Sequence, residues 1–577
     1  MLKWNINSTT FFSYVLIYLA IIYFSVYFYM FPNPVIIDQM IFFCVVIVYF
    51  LALLSLCFKQ NVSVFIVLLN VALFAFIKSA AQPINGLFLF LDDPYYYYAM
   101  TLNILYTYSL EPVLASWHWL VSFLPYYPMM HLWTAMVETL IGIPPSVGGM
   151  RCSTLFISFL CSLIPIVTYL ITTEVTKKLK MGLISAVVVA ASSGMVFYQY
   201  QQQYFPILFF VLLILFLVKK HQNYVLLGLI VVFALSMSHR ASNIILMSIF
   251  TIYLVLILVL PRIARVSENY YTICHNLILQ KADQKFTLLF TLLVLIAANI
   301  FVFHTLFFED LVSRSQDFFL NPFYDFYYQP NYLASSDLIQ PLGMTESIYT
   351  NLSFMKYVIF LISILGLIYL AIHLLNTQKS EIKVQIVYLY CAVSLVTFTS
   401  GLIYMEAISR FYIFLVPIVA IFSSYALVKL HIKSAYVGKF MVLMVVLVLS
   451  ADFIYAMPPA LLFGGQYYVE PPLGAYRSAG GWIYAYDDSD EYQVLAPYVH
   501  VIDFFAQKPR GKVSIVEPDV FIGGSKSLDR LPLLIGYLDH PLASISRSFS
   551  KPSVIDTKPI EDKFNEVYDN GILKYLL

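Results

Sequence analysis

The sequence predicts a polytopic, all-α membrane protein of about thirteen transmembrane helices, followed by a small C-terminal α/β domain outside the membrane. Three observations predict it. The chain is 61% hydrophobic, 17% aromatic and only 11% charged, with a mean hydropathy of +0.81, whereas a soluble domain carries about a quarter charged residues. Apolar runs long enough to cross ~30 Å of hydrocarbon at ~1.5 Å per residue recur along its length. The connections between these runs alternate between rich and poor in Lys and Arg, as membrane topology demands.

Taken in order, the runs fall near 10–31, 35–57, 62–78, 150–173, 181–198, 204–218, 224–238, 242–260, 286–306, 354–375, 383–403, 411–428 and 440–456. The first lacks a small-residue cleavage site and reads as a retained helix, not a signal peptide. Alternate connections hold sixteen basic residues: Lys3, Lys59, "KKLK" 177–180, Lys219, Lys220, Arg262, Arg265, Lys281, Lys285, Lys379, Lys383, Lys429, Lys433 and Lys439. The opposite connections, the tail aside, offer Lys78, Arg151, Arg240, Arg314 and Arg410. Cytoplasmic loops carry the basic excess, so the amino terminus is expected inside and the carboxyl terminus outside. The expected location is a prokaryotic cell membrane, because no endoplasmic-reticulum signal is visible and the tail ends outside.

This divides the chain into two N-terminal transmembrane helices (1–60), a transmembrane core (61–456) with large outer loops at 79–149 and 307–353, and an extracytoplasmic domain (457–577). The tail is polar and turn-rich, and its length suffices for one small α/β domain. "KVSIVEP" reads as a strand, and "EVYDNGILKYLL" as two strands about Asn570–Gly571, a favoured hairpin turn. The net charge of +1 is uninformative about nucleic acid, and no basic block of the density such a partner requires is present, so none is expected. The six cysteines have no CxxC spacing, so neither a zinc site nor a disulfide framework is indicated.

The first outer loop carries the most unusual stretch, "LDDPYYYYAM" at 91–100. The segments around it, "YYYYAMTLNILYTYSL" and "SWHWLVSFLPYYPMMHLWTAMVETLIGI", read as helices lying at the membrane surface, where a tyrosine ring is buried and its tip wet. The four tyrosines read as an interfacial anchor. Asp92 and Asp93 are then held at the end of the third span, with Pro94 opening the next helix. Such a carboxylate either caps that helix, takes a proton from a reacting group, or binds a divalent metal.

"DPYYYYA" at 93–99 resembles the DPYFNYR element in the first luminal loop of oligosaccharyltransferase catalytic subunits, members of the GT-C superfamily of membrane glycosyltransferases. "LPYYPMMHLW" at 124–133 is similar to the proline-rich approach to the next span in related enzymes. The topology matches more widely, over roughly residues 60–430. Without the first two spans, the core has an outer loop after its first helix and a larger one after its seventh, giving a GT-C-like core. The resemblance implies a membrane glycosyltransferase using a sugar on a polyprenyl phosphate or pyrophosphate, with Asp93 or Asp92 catalytic. Its phosphate leaving group needs cations. The candidates are Arg410 in "YMEAISRFYIFLVP", similar to the family's late Arg-Phe helix start; His239 and Arg240 in "MSHRASN"; and Arg314 in the second loop. Each arginine has the alternative of reaching lipid headgroups, and Glu406 stands one turn before Arg410, at ion-pair spacing. Tyr95, Tyr96, His118, Gln201 and Glu346 complete the set as substrate-binding candidates, Glu346 through the short element "MTES" at 344–347.

The sequence also departs from the family. "FYQYQQQYF" at 197–205, where the family carries an acidic pair, has no carboxylate, although Gln201 can bond sugar hydroxyls. Ala99 stands where the first-loop element ends in Arg, and the Trp-Trp-Asp-Tyr-Gly element that reads an asparagine sequon is absent. These differences favour a metal-independent, inverting transferase over protein N-glycosylation. A single Mg²⁺ or Mn²⁺ on the Asp92–Asp93 pair is the alternative. The expected partners are a polyprenyl-linked sugar donor, a lipid, glycan or protein acceptor, and membrane lipids. The rival functions are a transporter or flippase of a lipid-linked glycan, an oligosaccharyltransferase-type enzyme, and a glycan polymerase or ligase of unrelated fold. A transporter would show internal repeats and midplane polar sites, and the chain shows neither.

Overall fold

A computed structural model describes residues 8–30, 36–59, 62–84, 98, 101, 104–105, 128–143, 147–192, 204–219, 223–238, 240–266, 287, 289–296, 355–377, 382–403, 405–433, 435–456 and five short strands between 491 and 576. The helices are α1 (Ser8–Met30), α2 (Ile36–Phe58), α3 (Val64–Ile84), α4 (Met129–Ile141), α5 (Val147–Cys161), α6 (Ile164–Thr176) and α7 (Leu179–Ala191), then α8 (Tyr204–Lys219), α9 (Asn223–Ser236) and α10 (Arg240–Val266). After residues 267–354 come α11 (Met355–Thr377), α12 (Val384–Ile403), α13 (Met405–Lys433) and α14 (Ala435–Ala456).

Among the described residues, six segments are long and apolar enough to cross a membrane: Thr10–Tyr27, Met40–Phe58, Val64–Ala81, Cys152–Thr176, Tyr412–Ile432 and Tyr436–Phe453. Shorter apolar helices cover six further expected spans. The ninth expected span, 286–306, lies mostly outside the described residues, and so does part of the expected total of thirteen. The fourth run is interrupted. A turn at Ser162–Leu163 separates α5 from α6, because Pro165 in the first turn of α6 has no amide hydrogen to continue the ladder.

The bundle is organised around α13, which packs against α7, α11, α12 and α14 and whose membrane-length segment is 83% buried. Lipid supplies no hydrophobic drive between helices, so close backbone approach and polar contacts must hold them. Both are present. A side chain at Gly366 on α11 would collide with the carbonyl oxygen of Phe422 on α13, so only glycine lets these backbones touch. Ser423 donates to Ile359 O at 3.1 Å across the same pair, and Ser363 and Tyr390 are bonded at 2.7 Å between α11 and α12. The N-terminal helices pack differently. Phe24, Phe42, Phe50 and Phe74 from α1, α2 and α3 all surround Phe453 of α14, with centroids 5.0–6.3 Å away.

Basic side chains gather at one end of the bundle. Glu174, at the end of α6, accepts from Lys177 and Lys383 at 2.7 Å each, and Lys219 stands 3.6 Å away. Lys180 donates to Phe58 O at 2.9 Å, and Lys59 to Thr10 Oγ1 at 3.4 Å. These lysines come from connections that the sequence pattern assigns to one side.

The C-terminal strands are β1 (Glu491–Leu495), β2 (Lys512–Ile515), β3 (Leu533–Ile535), β4 (Glu566–Asp569) and β5 (Lys574–Leu576). They form one mixed sheet in the order β2-β1-β3-β5-β4. β1 runs parallel to β2 and β3, while β5 is antiparallel to β3 and β4. β2 lies in "KVSIVEP" and the β4–β5 pair in "EVYDNGILKYLL", where strands are expected; the turn at Asn570–Gly571 is outside the described residues.

Candidate active site

The end of the bundle opposite the lysines is joined by α4, which lies between α3 and α5 in the chain. Its residues are spaced to show one buried face: His131, Thr134, Ala135 and Glu138 are inside, and seven residues separate His131 from Glu138, close to two full turns. Leu132, Met136 and Leu140 on the other face are exposed. Gly142, in the left-handed conformation at φ 73°, stops the helix by sending its amide back to Glu138 O.

Glu138 is 1% exposed and its carboxylate is met by hydroxyls alone among the described residues. Tyr98 donates to Oε1 and Oε2 at 3.1 and 3.0 Å, and Ser153 of α5 donates to Oε1 at 2.6 Å. Burial pushes this carboxyl above the usual carboxylate range, and the bonds from Ser153 and Tyr98 pull it back only in part. One turn along from Tyr98, the hydroxyl of Thr101 is 3.2 Å from Nδ1 of the buried His131. The segment that follows Asp92–Asp93 is thus attached to α4 at two points.

The amide of Met129, at the start of α4, donates to Met237 O at 3.2 Å. Met237 opens the "MSHRASN" turn, and Arg240 is the first residue of α10. One helix therefore touches the segment beyond Asp93, the start of α5, and the turn leading to Arg240.

A second polar cluster lies where α3, α7, α13 and α14 meet. Lys78 is buried and donates to Ala190 O at 2.7 Å and Ser192 O at 2.9 Å. These are the final carbonyls of α7, where a cation complements the helix dipole. The buried Asp452 acts electrostatically on both Lys78 and Tyr412, and Tyr412 is hydrogen-bonded to the Ser192 side chain. Tyr412 stands two residues after Arg410 in the first turns of α13.

Of the candidates named from sequence, Arg240 and Arg410 are placed on helices, at the start of α10 and near the start of α13. Asp92, Asp93, Tyr95, Tyr96, His118, Gln201, His239, Arg314 and Glu346 lie outside the described residues. Tyr98, the last of the four tyrosines expected to form an interfacial anchor, is 0% exposed and turned into the protein, where its hydroxyl meets a buried acid; Tyr97 also lies outside the described residues. Sequence reasoning missed Glu138 and His131. Their signal was present, as the acid and the imidazole of an otherwise apolar helix at a spacing that aligns them. Lys78 was counted for sidedness and left out of the site.

No protein-family model and no curated protein matches the sequence. Solved structures do. The archaeal oligosaccharyltransferase AglB from Archaeoglobus fulgidus, in complex with an inhibitory peptide and a dolichol-phosphate, superposes with a TM-score of 0.50 at 14% identity, covering 89% of this chain and 74% of that one. The likeness is one of fold. Two further structures overlap less well. The Archaeoglobus fulgidus oligosaccharyltransferase with Zn and sulfate gives 0.48 at 15% identity over 78% of this chain, which spans 62% of that protein's length. ArnT from Cupriavidus metallidurans, bound to undecaprenyl phosphate, gives 0.43 at 10% identity, with 89% and 97% covered.

Proposed function

We propose that the chain is an inverting glycosyltransferase that moves a sugar from a polyprenyl phosphate or pyrophosphate to an acceptor at the outer face of the membrane. The observation that carries this reading is the gathering by α4 of the segment after Asp93 and the turn before Arg240, on a fold shared with AglB. Asp93, or Asp92 beside it, takes the proton of an acceptor hydroxyl while that oxygen attacks the anomeric carbon opposite the phosphate. The anomeric carbon–oxygen bond breaks, and its electron pair leaves on the phosphate. Arg410, Arg240, His239 and Arg314 stabilise the departing charge, and Tyr95, Tyr96, His118, Gln201 and Glu346 contact the sugar and acceptor. The lysine-rich end faces the cytoplasm in a topology of about thirteen spans, following the basic-loop asymmetry. The C-terminal sheet then lies outside, in a prokaryotic cell membrane.

Among the described residues no three His, Cys, Asp or Glu side chains come together to hold a metal ion, and no step of the proposed reaction passes through one. EDTA in the transfer assay separates the metal-free route from one with Mg²⁺ or Mn²⁺ on Asp92–Asp93. The deciding experiment is Asp93→Asn assayed against undecaprenyl-phosphate and -diphosphate sugars. Transfer falls by roughly 10²–10⁴-fold, the usual contribution of a positioned base, with normal membrane insertion; full activity would overturn the assignment. The fold shared with AglB favours a second reading, oligosaccharide transfer to protein, which requires glycosylation of an added asparagine-sequon peptide.

A further inference from the structure

We propose that Glu138 is a positioning residue: by accepting from Tyr98 and Ser153 it locks the segment that follows Asp93 onto α4, and so sets where the catalytic acid stands. This rests on the reading of Asp93 as the base.

The geometry supports a clamp more than incidental packing. Tyr98 and Thr101 are three residues apart and so share one face of a helical turn. Their partners Glu138 and His131 share one face of α4, and all four side chains are at most 1% exposed. Two parallel contacts, at 3.0–3.1 Å and 3.2 Å, fix rotation as well as position. Ser153, at 2.6 Å on Oε1, ties the same carboxylate to α5 and holds it toward Tyr98. Asp93 is five residues before Tyr98 in the chain, so little backbone lies between the clamp and the acid. A carboxylate is suited to this task because one side chain can accept several hydroxyls at once. A glutamine keeps one such acceptor oxygen and the same length.

The test uses the full-length protein in nanodiscs and compares Glu138→Ala, Glu138→Gln and Tyr98→Phe. Hydrogen exchange is followed in peptides covering Tyr98 and Thr101, and transfer is assayed with undecaprenyl-linked sugars. Exchange in that segment is expected to rise in Glu138→Ala and Tyr98→Phe and to stay near wild type in Glu138→Gln. In Glu138→Ala, kcat falls on the order of 10²-fold with KM for the donor within about twofold, the loss that a misplaced catalytic group produces. Glu138→Gln recovers most of it. Unchanged exchange in Glu138→Ala and Tyr98→Phe overturns the proposal, and so does a glutamine variant as impaired as the alanine one. A protein that merely loses packing shows lower folded yield in all three variants with kcat per folded molecule unchanged, which also overturns it. If Asp93→Asn retains full activity, the reading of Asp93 fails instead, and the exchange measurement still decides the clamp.

Discussion

Glu174 and Glu138 sit near the two ends of the run formed by α5 and α6, the second through Ser153, and they are held by different kinds of neighbour. At Glu174 the neighbours are lysines, at 2.7, 2.7 and 3.6 Å, on a half-exposed rim. At Glu138 they are two hydroxyls and a protein interior. The first acid keeps its charge because opposite charges surround it. The second keeps its place because neutral donors satisfy it while burial works against its ionisation. The basic end therefore tolerates changes of partner, since water and lipid headgroups can replace a lysine, whereas Glu138 is buried and losing a partner there is costly.

The largest expected effect follows from that difference. Glu138→Ala takes the shared acceptor from the buried hydroxyls of Tyr98 and Ser153 and is expected to cost about 3 kcal/mol, the scale of disrupting buried hydrogen bonds. Unfolding in mixed micelles measures it. Glu138→Gln, which keeps an acceptor, loses less than half of that. An equal loss in both variants means that the charge, and not hydrogen-bond acceptance, matters at this position.

pH sharpens the same contrast with a smaller effect. The folded Glu138 carboxyl holds its proton more tightly than the unfolded one, its pKa being raised by burial. The folded state therefore binds more protons between the two pKa values, and stability is full below the unfolded value and declines as pH rises through the folded one. Glu138→Gln removes this decline. Unfolding midpoints that fall equally with pH in wild type and Glu138→Gln would place the titration elsewhere.

Much of the helical fold is legible in the sequence, because membrane helices announce themselves as runs and Pro165 is visible within the run it breaks. What is not legible is direction. Four consecutive tyrosines look alike on paper, and only a partner 40 residues further along the chain, Glu138, decides that Tyr98 points inward. Lys78 reads as one more outer basic residue, yet it ends on the carbonyls of α7, more than a hundred residues distant in sequence. The strands of "KVSIVEP" and "EVYDNGILKYLL" can be read locally, but the parallel pairing of β1 with β2 and β3 cannot, since it joins segments with long intervening chain. The same holds for the site. The motif names Asp93, whereas Glu138 belongs to no motif.

The smallest effect belongs to the lysine end. Glu174→Ala is expected to cost about 1 kcal/mol or less, because exposed ion pairs are screened and mobile. The loss falls on Lys383 first. Its ammonium is the less exposed, and it also donates to Val218 O at 3.0 Å, so it joins the start of α12 to the end of α8 as well as to α6. Lys219→Ala, removing the pair at 3.6 Å, is expected to change stability by less than about 0.5 kcal/mol. Raising salt from 0.05 to 0.5 M, chosen to shrink the screening length, erases the Glu174→Ala difference and leaves the Glu138→Ala difference intact. Should salt erase both, Glu138 is in contact with solvent ions, and the distinction between the two ends of the bundle is lost.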